Sequence, residues 1–227
     1  MKRILAGCAL LALAACSPSE PPNKSAPAPA PAAAKVPAGN YTLDKAHASL
    51  IFRVNHLGFS HYTARFKRFD ARLQFDPADL AASRVTATVD ARSIETDFPD
   101  PAKVDFNAQL QNEKWLDTAK FPEMTFRSTK VDVTGPNAMR VTGELTLHGV
   151  TRPVSLDATY NGGYAGHPLD PHARIGFSAH ASLKRSEFGV AFGVPEPGST
   201  FGVGDDVEVV IEAELSGPPW TPPPAQK

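Results

Sequence analysis

Few side chains in this sequence have the types and the spacing that catalysis or metal binding requires. Both cysteines, Cys8 and Cys16, lie near the start of the chain, so a globular domain further along has no thiol nucleophile, disulfide or cysteine-based metal site. Neither G-x-S-x-G nor H-E-x-x-H occurs, although the chain has 7 histidines. The loop GHPLDPH offers His167, Asp170 and His172 as metal ligands, but its prolines favour a solvated turn. The sequence therefore predicts neither catalytic residues nor a metal site.

Cys16 has the most specific chemical signal in the chain. It follows residues 1–15, a basic start and then an apolar run that is too short to span a bilayer and is typical of a secretory signal. The end of that run, Leu-Ala-Ala-Cys, resembles the lipobox of bacterial lipoproteins, in which the cysteine receives a diacylglyceryl group. We therefore expect cleavage after Ala15, lipidation of Cys16 and a periplasmic protein anchored in a membrane. Ser17, where an aspartate would favour the inner membrane, points to the outer membrane. The alternative is an ordinary signal peptide that leaves a free thiol.

Two proline-rich segments delimit one globular domain. Residues 16–38 combine proline and alanine without apolar periodicity, which predicts a tether that follows the lipidated cysteine. A second proline tract at 217–227 predicts a C-terminal tail, in which Trp220 either moves freely or docks on the domain. The sequence therefore predicts a single domain over residues 39–216.

The charge balance excludes one class of partner. Loss of Lys2 and Arg3 with the signal segment lowers the basic residues from 23 to 21, against 24 acidic residues, a formal charge of about −3. This balance argues against nucleic acid as a partner.

The elements that must position any functional side chain are strands. Apolar and polar residues alternate with a period of two, which is typical of strands with one dry and one wet face. The alternating segments are 50–54, 69–75, 85–89, 141–147, 154–158, 175–183 and 207–213, with 124–133 as one or two more. Only 101–116 has helical spacing. About eight strands and one short helix indicate an antiparallel sandwich or barrel, whose interior is either filled by side chains or holds one slender ligand.

Five segments together resemble the successive signatures of the YceI-like family. They are YTLDKAHASLIFRVNHLGFS (41–60), ARF (64–66), WLDTAKFPEMTF (115–126), GELTLHGVTRPVSL (143–156) and KRSEFG (184–189). The resemblance implies an all-β fold: an extended, lipocalin-like antiparallel β-barrel of about eight strands with one short helix. It also implies an apolar lumen that holds a polyisoprenoid, an isoprenoid quinone or a fatty acid derivative. Periplasmic location and a homodimer are further expectations from this resemblance.

Within that fold, the sequence offers candidates for both ends of a ligand. His56 closes the first strand where the barrel would open, and Arg65 and Arg185 have the fork geometry that pairs with a phosphate; the alternative for each is a solvated strand residue. The residues expected to surround the ligand tail are Phe52, Val54, Phe66, Phe126, Leu145, Phe177 and Leu183.

One segment departs from the family pattern. Many relatives have an Arg-Asp pair followed two residues later by His-Leu, where this chain has FNAQL at 106–110. Asn107 and Gln109 thus stand at the acidic and imidazole positions. Their amides form hydrogen bonds but carry no charge and do not titrate near neutral pH, so head-group chemistry that needs those two charges is not expected here.

The function predicted from these observations is binding. We expect a membrane-anchored periplasmic protein that carries or stores a polyprenyl phosphate, a quinone or a fatty acid derivative, with no cofactor besides that lipid. An enzyme that acts on a lipophilic substrate inside the barrel is an alternative, weakened by the missing acid–base pair. A structural or partner-binding lipoprotein with a filled barrel is another.

Overall fold

The computed structural model describes residues 36–221. The predicted signal segment, Cys16, most of the tether and residues 222–227 lie outside the described residues, so those assignments stay predictions. The strands and the helix are β1 (Gly39–His56), β2 (Ser60–Phe66), β3 (Phe69–Phe75), β4 (Arg84–Asp90), β5 (Ile94–Glu95), α1 (Phe106–Gln111), β6 (Glu123–Val133), β7 (Ala138–Leu147), β8 (Val150–Tyr164), β9 (His172–Lys184) and β10 (Val203–Pro219). Short 3-10 turns occur at Leu80–Ala82, Ala91–Ser93 and Arg185–Phe188.

Eight of these strands form a closed antiparallel barrel. Around the ring the order is β1, β3, β4, β6, β7, β8, β9 and β10, and β10 pairs back with β1. Strand β2 lies in line with β3 beside the second half of β1, and the two-residue β5 pairs with β2. This closure of the ring makes the fold a barrel and not a sandwich. The alternation of apolar and polar residues is the same in both folds and could not distinguish them. The predicted all-β barrel of about eight strands with one short helix is confirmed.

The β7–β8 hairpin shows how local sequence sets the strand pairing. Leu147 pairs with Val150, so the connection is only His148 and Gly149, which have positive φ angles of 51° and 74°. Such two-residue turns require left-handed backbone, which glycine adopts at little cost. A Cβ at position 149 would also come within 2.5 Å of the Phe121 ring. Glycine at position 149 therefore satisfies both the backbone angle and the close approach of this ring.

One end of the barrel is filled by buried side chains, and we call it the plugged end. Tyr41, Phe75 and Ile175 are each no more than 3% exposed, and the Tyr41 hydroxyl donates to the carbonyl of Pro37 at 2.7 Å. Burial, reinforced by nearby Tyr160, raises the pKa of Tyr41 to about 12. The chain enters the barrel beside this cluster, so its first strand is fixed at this end.

The domain is wider than the predicted 39–216. Strand β10 continues past Ser216 to Pro219, and the Trp220 amide donates to the carbonyl of Pro171 at 2.9 Å. Before β1, Val36 is buried in the cluster at the plugged end. The prolines fit in β10 because its register with β9 shifts between Ser216 and Pro219, where a missing N–H donor is tolerated. The predicted tail therefore begins too early, and Trp220 docks on the domain.

Helix α1 lies at the opposite end, which we call the mouth end. The Asp105 side chain caps it by accepting a hydrogen bond from the Ala108 amide at 2.8 Å. The helix is shorter than the segment 101–116, because the Asn112 side chain accepts the Lys114 amide and turns the chain. No helix within residues 36–221 is long and apolar enough to cross a membrane.

Asp90 ties the end of β4 to the start of β3. Its carboxylate accepts hydrogen bonds from the Arg92 side chain at 2.9 Å and from the Arg68 side chain at 2.9 and 3.1 Å. The bond from Arg92, followed by that from Arg68, lowers the pKa of Asp90 to about 2 against the opposing effect of partial burial. The ionised carboxylate is therefore the form that stabilises this junction.

Candidate functional site

The inward-facing side chains of the barrel surround a cavity of about 760 Å³, and most of its lining is apolar. Their direction follows from the strand period, since alternate residues point to opposite faces of a sheet. All seven residues that the sequence assigned to the lumen line this cavity: Phe52, Val54, Phe66, Phe126, Leu145, Phe177 and Leu183. That a ligand tail touches them stays a prediction.

The lumen is a cavity because its inward side chains do not meet across the axis. Phe52, Phe126 and Leu183 face inward, yet each is only half-buried. The small residues Ala87 and Ala181 line the same space and leave room beside them. In a barrel filled by side chains these positions would be fully buried. The geometry therefore favours a ligand-holding interior over the filled-barrel alternative.

Aromatic side chains from three segments narrow the lumen at the mouth end. The Phe106 ring of α1 packs edge-on against Tyr62 of β2, with ring centroids 5.6 Å apart, and lies 5.7 Å from Phe98. The Tyr62 hydroxyl donates to the carbonyl of Thr96 at 3.3 Å. All three rings line the cavity, but none was identified from the sequence. Tyr62 could have been identified from the sequence, because it lies four residues before the inward-facing Phe66 on the same strand and therefore on the same face.

Asn107 fastens α1 across the mouth. Its side-chain oxygen accepts hydrogen bonds from the Thr96 amide at 2.9 Å and the Thr96 hydroxyl at 2.6 Å, and its amide nitrogen donates to Glu95 at 3.2 Å. The bond from Asn107 is the largest cause of the lowered pKa of Glu95. Gln109, the other departure from the family pattern, is exposed and does not line the cavity. The neutral amide at 107 therefore has a structural role: an aspartate there would face the Glu95 carboxylate.

Of the predicted head-group residues, His56 is at the lumen and Arg65 is not. His56 lines the cavity at the end of β1 and is also exposed, so it lies where the lumen meets solvent. Arg65 is on the outer face, where its guanidinium forms a bidentate ion pair with Asp97 at 2.9 and 3.0 Å. The period that turns Phe66 inward turns its neighbour Arg65 outward. This placement corrects the expectation that Arg65 contacts a head group inside the barrel.

Arg185 lines the cavity, but four of the five N–H donors of its guanidinium are already used. The residue is only 6% exposed. Its guanidinium donates to four carbonyls, those of Val190, Phe192, Val203 and Gly204, at 2.7 to 2.9 Å. Burial lowers its pKa, and nearby Asp205 opposes that shift. Arg185 therefore holds the loop before β10 in place, which corrects its predicted role as a phosphate-binding fork.

The polar part of the lining is small and contains no carboxylate among residues 36–221. It consists of His56, Tyr62, Ser83, Arg84, Thr125 and Arg185. Of these, Arg84 donates to the carbonyls of Ala81 and Ser83 at 2.8 and 2.7 Å. General acid–base catalysis needs two positioned groups that exchange protons, and the described lining offers one imidazole, that of His56, with no carboxylate to pair with it. The arrangement is suited to holding an apolar molecule.

Candidate metal ligands occur on the outer surface. Side-chain atoms of Asp44, His47 and Glu214 lie within 4.8 Å of one another. However, the Arg174 guanidinium is 2.7 Å from Asp44 and 3.1 Å from Asp170, so a cation already sits beside both this group and the GHPLDPH loop. Neither group is built to receive a metal ion.

Comparison with known proteins assigns the family. A profile of the YceI-like domain matches residues 41–215, most of the chain. This chain belongs to the YceI-like family. A UPF0312 protein of Vibrio cholerae is 37% identical to this YceI-like protein over 155 residues, which cover 67% of this chain and 78% of that protein.

Solved structures agree with the barrel of this YceI-like protein. The crystal structure of Burkholderia cenocepacia BcnA matches with a TM-score of 0.64 and 26% identity, over 76% of this chain and 98% of that one. A polyisoprenoid binding domain from Saccharophagus degradans, implicated in plant cell wall breakdown, matches with a TM-score of 0.56 over 80% of this chain and 100% of that one. At 15% identity, this second likeness shows the fold alone.

Proposed function

We propose that this YceI-like protein binds one long-chain isoprenoid lipid, with its tail in the lumen and an uncharged head at the mouth. The observation that carries the proposal is the apolar cavity of about 760 Å³ along the barrel. The chain belongs to the YceI-like family. The resemblance to that family implied ligands of this kind, which supports the proposal.

The cavity volume supports a particular tail length. If each non-hydrogen atom of a ligand takes about the volume of one water molecule, ~30 Å³, a cavity of about 760 Å³ holds about 25 such atoms. Five isoprene units contain that many carbons. Burying each unit from water contributes about 4 kcal/mol at ~0.8 kcal/mol per carbon group, so the tail supplies most of the affinity.

The mouth supports an uncharged head such as a quinone. Arg65 is paired with Asp97 on the outer face, and the Arg185 donors are bound to backbone carbonyls. His56 remains at the opening, where an imidazole N–H can donate to a carbonyl oxygen; the Tyr62 hydroxyl beside it already donates to Thr96. A polyprenyl phosphate would bring a charge to the mouth, where Arg185 already donates to four carbonyls. Arg84, the other arginine of the lining, is near the plugged end, because it pairs with Gln74, the neighbour of Phe75. Of the head groups expected from the sequence, the quinone fits these contacts best.

A series of ligands tests both parts of this proposal. Quinones with one to eight isoprene units and a five-unit polyprenyl phosphate are each titrated against the purified protein, with displacement of a fluorescent fatty acid as the signal. Affinity should rise with each unit up to about five and then level off, as further units extend out of the mouth. The quinone should bind more tightly than the phosphate of equal tail length. Affinity that is independent of tail length would contradict the proposal, and tighter binding of the phosphate would contradict the assignment of the head.

We also propose that the protein works at a membrane surface of the periplasm, held there by a lipid on Cys16. Two acyl chains give stable membrane attachment, whereas one gives only marginal binding. The Cys16→Ala variant should therefore appear in the soluble fraction or stay unprocessed, while the unmodified chain sediments with membranes. If Cys16→Ala is processed normally and still sediments with membranes, the anchor is elsewhere.

A further inference from the structure

Three phenylalanine side chains at the mouth end are exposed to solvent. Phe59 and Phe201 are each 86% exposed, and Phe192 is 49% exposed. Large apolar side chains in contiguous exposed groups mark interaction surfaces, whereas single ones are ordinary. The question is therefore whether these three form one surface.

Backbone contacts bring the three residues together. The Leu57 amide donates to the Gly202 carbonyl at 2.9 Å, which places the turn that bears Phe59 beside Phe201. The Val203 amide donates to the Gly193 carbonyl at 2.8 Å, which brings the residue after Phe192 to the same place. We call Phe59, Phe192 and Phe201 the aromatic rim.

The aromatic rim is continuous with the lumen. The Phe192 ring packs against Trp115, with centroids 5.2 Å apart, and Trp115 lines the cavity. On the other side of the mouth, Phe59 follows His56 by one turn and its amide donates to the His56 carbonyl at 3.0 Å. The aromatic rim therefore adjoins the opening of the lumen on both sides.

Charge and chain direction are both compatible with a lipid bilayer as the occupant of this surface. The Lys114 ammonium lies 5.5 Å from the centre of the Phe192 ring and forms no ion pair within the described part of the chain, so it is available to a phosphate. Val36 and Trp220, near the two ends of the described chain, lie at the plugged end. The segments outside residues 36–221 are therefore joined to the domain at the end opposite the rim.

We propose that the aromatic rim inserts into the surface of a phospholipid bilayer, so that the lumen loads and unloads with its mouth against the membrane. The three rings enter the interfacial layer and Lys114 contacts lipid phosphates. A long tail then moves between bilayer and lumen without entering water, which would cost about 0.8 kcal/mol for each exposed carbon group. The loading step rests on the proposed function, but the docking does not.

Fluorescence quenching tests the docking directly. The full chain, purified after export, is prepared with Phe201→Trp and mixed with phosphatidylcholine vesicles whose acyl chains carry bromine, a contact quencher of indole. The matched control is Leu169→Trp, because Leu169 is 92% exposed but lies in the loop at the plugged end. After subtraction of the signal of the unmodified chain, the indole fluorescence of Phe201→Trp should fall at least about twofold and that of Leu169→Trp should stay unchanged. No quenching of Phe201→Trp, or equal quenching of both variants, would overturn the proposal.

Transfer kinetics separate docking from ligand binding. Substituting Phe59→Ala and Phe201→Ala together should slow transfer of a quinone between vesicles by about a hundredfold, since each buried ring contributes a factor of roughly ten. The amount bound at equilibrium should not change, and Leu169→Ala should change neither. An unchanged transfer rate would contradict docking through the rim. If the unmodified protein binds no quinone, the proposed function fails, and the quenching result still decides the docking.

Discussion

Replacing Ala181 by tryptophan should exclude the ligand while the barrel stays folded. Ala181 is on β9, lines the cavity and is only half-buried, so its Cβ borders the open lumen. Ala179 on the same strand is a poorer choice, because it is buried in a cluster that includes Val141 and Ala158. A large ring at 181 extends into space that contains no side chain.

The expected loss follows from the cavity size. A tryptophan side chain has nine more non-hydrogen atoms than alanine, about a third of the ~25 atoms that the cavity of about 760 Å³ holds at ~30 Å³ each. Position 181 also lies between the mouth end and the plugged end, so the ring blocks the path to the space beyond it. A tail with about ten fewer buried carbon groups loses ~8 kcal/mol of binding free energy. A loss of that size removes measurable binding.

The assay compares this variant with a tryptophan on the outer face. His180→Trp is the matched control, because His180 is the preceding residue, is exposed and points outward. Both proteins are incubated with quinone-containing vesicles, separated from them, and analysed for bound lipid by mass spectrometry and for melting temperature by circular dichroism. Lipid should be absent from Ala181→Trp and present in His180→Trp, with similar melting temperatures.

A fall in melting temperature would refute this reasoning. Overpacking a filled core costs about 1–3 kcal/mol, which lowers the melting temperature of a domain this size by roughly 2–12 °C. If Ala181→Trp shows such a fall relative to His180→Trp, the interior is filled. Normal lipid binding by Ala181→Trp would equally show that the ligand is not in the lumen.

Three further predictions concern parts of the fold that hold the site. Asp90→Asn should destabilise the protein much more at pH 6 than at pH 2. The lowered pKa of Asp90, caused mainly by Arg92, gives stability that is fully present above the unfolded value near 4 and is lost as pH falls through about 2. Urea unfolding that shows the same difference at both pH values would disprove this. Asn107→Asp should loosen α1 at pH 7 by setting a second carboxylate against Glu95, so limited proteolysis of the mouth should speed up several-fold and slow again near pH 4, and equal rates in variant and parent at pH 7 would count against it. A chain of residues 36–221 should unfold cooperatively and at a higher temperature than the shorter domain predicted from sequence, which lacks both docked ends; equal melting temperatures would show that those ends contribute nothing.

The strands and the inward face could be predicted because they depend on local alternation. Each residue's face is fixed by its neighbours along the strand, so the seven residues chosen by this rule line the cavity, and their contact with a ligand tail stays a prediction. The same rule, applied strictly, would have placed Arg65 outside, since it lies between Ala64 and Phe66 in β2. The error came from assigning a charged residue by its chemistry instead of its period.

Other features depend on contacts between distant segments and were not predictable. The carbonyls that hold Arg185 come from residues 190–204, and their position depends on how that loop closes over the mouth. The cavity depends on the circumference of the ring relative to the side chains inside it, and a filled barrel would use the same apolar residues. The prolines after Ser216 were interpreted as the end of the domain. The register shift between β9 and β10 that accommodates them has no local sequence signal.

Native mass spectrometry tests the central claim most directly. The protein is purified from the cells that export it, without a detergent that would extract a bound lipid. The account predicts a complex with one lipid per chain, released on activation as an intact, uncharged isoprenoid of about five or more units. A spectrum that shows only the mass of the protein, both as purified and after incubation with vesicles that contain such a quinone, would contradict it.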